Sequence, residues 1–139
     1  MRKLLLLSLL IGCEKPPPQP PKRPNQELIV GEFERRPPVG TTAARFGADG
    51  SIVVAHERSE LDRKPLAQGT YKLEGDKLTV SYSSGEMCEA GVEGTYSVVL
   101  SRVGIRFKKL DDACERRAKM DGETWYRATP PPGAGGPRP

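Results

Sequence analysis

Between residues 69 and 109 the apolar side chains fall at every second position, in short runs that stop at glycine-bearing turns. Tyr71 and Leu73 lie on 69–74, and Leu78, Val80 and Tyr82 on 77–83. Tyr96, Val98 and Leu100 lie on 94–101, and Ile105 and Phe107 on 104–109. A period of two turns one face of an extended strand to a core and the other to water, which argues against helices here. Gly75-Asp76 and Gly47-Ala48-Asp49-Gly50 are tight hairpin turns. Extended runs at 28–35 (stopped by Pro37-Pro38), 41–46, 51–57 and 123–127 bring the strands to eight. Short antiparallel strands joined by tight turns leave reactive edges unless the sheet closes. The expected fold is therefore all-β: an eight-stranded antiparallel meander barrel. One short helix precedes the last strand. Asp112 three residues before Glu115 reads as a capping box, and the segment runs about two turns to Met120, stopping near Gly122.

Composition separates this middle from the two ends. Of the 14 prolines, 11 lie outside residues 25–128. The net charge of +4 also comes from the ends, because 25–128 holds 16 basic and 17 acidic side chains. The interleaved signs of Lys108, Lys109, Asp111, Asp112, Glu115, Arg116, Arg117 and Lys119 read as a solvated face, not a phosphate track. No nucleic-acid partner is expected.

Met1-Arg2-Lys3 is a basic lead into an apolar run, Leu4 to Ile11, interrupted only by Ser8. That run is far shorter than the ~20 residues needed to span a bilayer, so it reads as an export signal. Leu10-Ile11-Gly12-Cys13 resembles the bacterial lipobox. The resemblance implies cleavage after residue 12, lipidation of Cys13, and anchoring by two or three acyl chains, which is stable where one chain is not. Glu14 stands where an Asp would favour inner-membrane retention in enteric bacteria, which points to the outer membrane. The expected organisation is a signal peptide at 1–12, a lipidated, proline-rich tether at 13–26, a barrel domain at 27–128 and a disordered Pro/Gly-rich tail at 129–139. In polyproline II at ~3.1 Å per residue, the tether reaches about 40 Å.

Export leaves two further cysteines, Cys88 and Cys114, in an oxidising compartment, where a disulfide is expected. A metal site is the rival reading, with His56 as its one imidazole ligand and no CxxC motif. The cysteines also close a weak internal repeat. Gly69-Thr70-Tyr71 precedes Cys88-Glu89 as Gly94-Thr95-Tyr96 precedes Cys114-Glu115. Each unit reads as a hairpin followed by a Cys-bearing connection.

Gly94-Thr-Tyr, Asp112-Ala-Cys114-Glu-Arg-Arg and Gly122-Glu-Thr-Trp125-Tyr-Arg127 resemble the small bacterial lipocalin-like domains over roughly 28–128. In the wider lipocalin group, strand one carries Gly-x-Trp, packed against an Arg from near the last strand. This chain has Gly31-Glu32-Phe33, so the resemblance implies that Phe33 plugs one barrel end beneath Arg117 or Arg127.

The chain carries little sign of chemistry. His56 reads as a rim histidine, and Glu86, Glu89 and Glu93 as a solvated acidic loop. No catalytic residue, metal or cofactor is expected. The lipocalin resemblance implies a carrier of a small apolar ligand, held by Phe33, Tyr71, Leu73, Val80, Tyr96, Val98 and Phe107 on the barrel interior. The alternative is an inhibitor or other protein-binding module of the envelope, acting through the loops at 58–68 and 83–93.

Overall fold

The computed structural model describes residues 12, 23–36 and 40–128. The expected signal peptide (save Gly12), lipidated Cys13, most of the tether and the tail lie outside the described residues. Eight antiparallel strands close in simple sequence order. They are β1 (Gly31–Arg35), β2 (Thr42–Phe46), β3 (Ser51–Ala55), β4 (Ala67–Glu74), β5 (Lys77–Gly85), β6 (Glu93–Leu100), β7 (Gly104–Asp112) and β8 (Thr124–Arg127). Pairing of Phe33 with Arg127 and Glu34 with Tyr126 joins β1 to β8 and seals the barrel. The all-β meander barrel is thus the fold read from the alternation, and a short helix, α2 (Glu115–Ala118), precedes β8.

The inward residues pack as one core. Phe33 meets Phe46 and Phe46 meets Tyr71, edge to face, at 5.8 and 5.1 Å between ring centroids. Tyr96, Phe107 and Trp125 form a second edge-to-face chain, at 6.2 and 5.5 Å. Such pairs contribute about 0.5–1.5 kcal/mol each beyond their buried area. An eight-stranded barrel is just wide enough for its own side chains to fill it.

The two ends differ. At one end the connections are the short turns at 47–50, 75–76 and 101–103, and this end is closed. A one-turn helix, α1 (Asn25–Leu28), lies across it, with Leu28 and Ile29 buried. The Asn25 side chain donates to the Gly75 carbonyl at 2.9 Å, and Gln26 donates to the Leu73 carbonyl. Residues 28–30 were expected to begin the first strand; the chain instead turns helical through Ile29, and β1 starts at Gly31. Burying Leu28 and Ile29 over the barrel end is what competes with extension there.

Arg127 fastens the plug. Its guanidinium lies 4.7 Å from the centre of the Phe33 ring. It donates to the carbonyls of Val30 and Ser101, both at 3.2 Å, and of Leu28. Of the two arginines proposed for this position, Arg127 occupies it. Arg117 sits at the opposite end, 5.1 Å from the centre of the Tyr82 ring.

At that open end run the long connections after β3, β5 and β7. The two hairpins of the internal repeat, β4–β5 and β6–β7, both deliver their cysteines here, and a Cys88–Cys114 disulfide joins them with 5.7 Å between Cα atoms. The repeated glycines serve close approach at irregular pairing. A Cβ on Gly69 would lie 2.6 Å from the Tyr82 Cα, beside a register shift in β4–β5. A Cβ on Gly94 would lie 2.6 Å from Asp112 Cγ and 2.8 Å from Arg117 Nε.

The expected capping box is not the arrangement found. β7 runs on through Asp112, α2 is a single turn, and its N-cap is Cys114, without a side-chain cap. The Asp112 carboxylate turns inward instead. It accepts from Arg117 Nε at 2.6 Å, Arg117 Nη2 at 2.9 Å, the Cys114 N–H at 2.9 Å and the Tyr96 hydroxyl. Charge-assisted bonds in a buried site outweigh a solvent-exposed cap.

Candidate functional site

Above the packed core, the open end holds a cavity of about 490 Å³, within the range of small-molecule sites. Its apolar wall is Val54, Leu66, Tyr82, Met87, Met120 and Trp125. β3, β5 and β8 supply Val54, Tyr82 and Trp125 as the last inward residues before the rim. Leu66, Met87 and Met120 come from the long connections. The polar wall carries Arg35, His56, Arg116, Arg117 and Lys119, with Glu86 as its one carboxylate among the described residues.

The disulfide shapes this rim. It ties the 86–92 connection, with Glu86 and Met87, to the segment bearing Arg116, Arg117 and Lys119. Behind the wall, the Asp112–Arg117 pair is fully removed from solvent. Burial alone would raise the Asp112 pKa, but the bonds from Arg117, Tyr96 and the Cys114 N–H win and hold it below the ordinary carboxylate value. Burial would likewise lower the Arg117 pKa, and the bond to Asp112 reverses that. The Tyr96 and Tyr82 phenols are pushed up, chiefly by burial, so both stay neutral. Arg35 is held by Glu123 through bonds of 3.0 and 3.2 Å.

Phe33, Tyr71, Leu73, Val80, Tyr96, Val98 and Phe107, the interior residues expected to hold a ligand, are all buried in the one core cluster. None of the seven lines the cavity. They form the floor and body of the barrel beneath it. The cavity residues drew less notice in the sequence because several stand in connections, where no periodicity marks an inward side chain. Among the described residues, no group of three or more His, Cys, Asp or Glu side chains comes together as a metal site.

The loop at 58–68 does not stand free. Leu61 packs with Ala43 and Ala55 on the outer wall of β2–β3, in a second small cluster with Val53 against it. Arg45 holds Asp62 at 2.6 Å, and Arg58 reaches Glu32 at 3.4 Å. The loop is therefore folded down the barrel side.

The closed meander, the plugged end and the arginine over the strand-one aromatic are compatible with a lipocalin-like fold. No family model, curated protein or solved structure matches the chain.

Proposed function

We propose that this chain is a lipid-anchored protein of the cell envelope whose barrel binds a small ligand with an apolar body at its open end. One observation carries the reading: a cavity of about 490 Å³ with an apolar wall opens at one end of a barrel whose other end is plugged. A barrel needed only as a spacer has no use for Met87, Met120 and Leu66 around an open mouth. The anchor rests on the lipobox at 10–13. The described chain enters the barrel through α1 at the closed end, away from the cavity. The open end then lies on the far side of the domain, where a ligand can enter from the aqueous phase.

Titration with phenylnaphthylamine, a neutral probe that fluoresces on leaving water, tests the site. Saturable one-to-one binding is expected, and it is lost in Met87→Trp, which fills the mouth. Binding that survives Met87→Trp places the probe elsewhere and overturns the assignment. Metabolic labelling with palmitate tests the anchor: the wild-type chain should take up label and Cys13→Ala none, and an unlabelled wild-type chain would refute lipidation.

A further inference from the structure

The cations around the cavity are not equally satisfied. Arg35 has Glu123, and Arg117 has Asp112. Arg116 has no carboxylate among the described residues; its Nη1 donates only to the Glu86 carbonyl at 3.2 Å. The Lys119 ammonium has no hydrogen-bond or ion-pair partner among the described residues, its backbone N–H alone being used, toward the Arg117 carbonyl. These two exposed cations share the wall with a single carboxylate among the described residues, Glu86.

A second observation lies deeper. Arg117 lines the cavity, is 2 % exposed, and has one nitrogen, Nη1, with no hydrogen-bond partner. Its other donors are used: Nε and Nη2 bond Asp112, and Nη2 also bonds the Val92 carbonyl. A buried donor without an acceptor is uncommon in a folded protein and calls for a reason. An acceptor arriving with a ligand is such a reason.

The depth of the site limits ligand size. Leu78, Val80, Tyr96 and Val98 fill the barrel interior, each 2 % exposed or less. A long alkyl chain has no channel to follow downward without displacing them. An apolar body must therefore be compact and rest against Trp125, Met120 and Tyr82.

We infer that the ligand is a compact organic anion: an apolar, ring-sized body with one carboxylate, phosphate or sulfonate held by Arg116 and Lys119, with Arg117 behind them. The inference rests on the open end being the binding site. Cations at the mouth of a low-dielectric pocket raise the local concentration of an anion and repel competing cations.

The test compares two probes of nearly the same shape, anilinonaphthalene sulfonate and neutral phenylnaphthylamine. The protein is the chain from residue 13 on, expressed without the leader and with Cys13→Ala, which keeps acyl chains, the apolar leader and detergent out of the assay. The sulfonate should bind at least tenfold more tightly at low salt. Arg116→Gln with Lys119→Gln should weaken the sulfonate at least fivefold and leave the neutral probe within twofold. Both positions are exposed, so the pair of changes spares the core. Equal affinity for the two probes, or no effect of the double variant on the sulfonate, would overturn the inference while leaving the site standing. Binding of neither probe would overturn both. Displacement by phenyl phosphate or phenylacetate is expected. Displacement by long-chain lysophosphatidate alone would show that the anion arrives on a lipid, against a compact ligand.

Discussion

The buried Asp112–Arg117 pair should hold the open end together, and cutting it makes the sharpest stability prediction. Asp112→Ala removes the acceptor of four hydrogen bonds, two from Arg117 and one each from Tyr96 and Cys114. It leaves a guanidinium shielded from water with no counter-charge. Breaking one partner out of a buried pair costs about 3–5 kcal/mol, chiefly through the stranded charge. A domain of this size has roughly 5–15 kcal/mol in total. The loss should fall in Asp112→Ala/Arg117→Met, which strands no charge, because replacing both members of a buried pair is often close to neutral. Urea unfolding followed by fluorescence of Trp125, the one tryptophan, reads both variants. At an m-value of about 2 kcal/mol/M, the single variant should lose about 2 M in midpoint. A single-variant cost below about 1 kcal/mol, or a double variant as costly as the two single changes added together, would refute the reasoning.

Other consequences follow from the same contacts. Gly94→Ala should destabilise by about 1–3 kcal/mol and raise the Asp112 pKa, because its Cβ meets the pair directly; an unchanged midpoint would contradict this. The Asp112 pKa is lowered by folding, so its contribution is complete above the ordinary carboxylate value of ~3.9 and fades as pH falls through the folded value. Wild type should therefore lose stability below about pH 4 more steeply than Asp112→Ala, and equally steep acid limbs would argue against the assignment. Arg127→Met loses the bonds to Leu28, Val30 and Ser101 and the contact with Phe33, and should cost about 2–4 kcal/mol. Hydrogen exchange should then speed up first at α1. Reducing Cys88–Cys114, a closure of 26 residues, should cost about 3.5 kcal/mol in the chain-entropy view and weaken probe binding, since both cysteines frame the mouth.

The barrel was legible because alternation is local: Leu78, Val80 and Tyr82 declare an inward face without any tertiary information. The disulfide was legible because an exported chain with two cysteines besides Cys13 is expected to pair them; that both hairpins return them to the same end came from the structure. What stayed hidden depends on side chains that meet across the fold. Asp112 three residues before Glu115 has the spacing of a cap, and only Arg117 and Tyr96 folded around it show why β7 continues instead. α1 is a single turn, too short for any helical period, and its burial comes from the barrel end it covers. The resemblance to lipocalins named two arginines for one aromatic. The structure gives Arg127 to Phe33 and Arg117 to Tyr82, at opposite ends. The cavity was the hardest to foresee, because Leu66, Met87 and Met120 reach it from connections. The interior residues named in its place are those that close it from below.

The open end, and no other part of the barrel, should take the ligand. Amide and methyl chemical shifts, followed while anilinonaphthalene sulfonate is added, test it most directly. Saturating shifts are expected at Leu66, Met87, Met120 and the Trp125 indole, with Leu28, Ile29 and Phe33 at the closed end unmoved. Shifts centred on the closed end, or spread evenly around the outer wall, would contradict it.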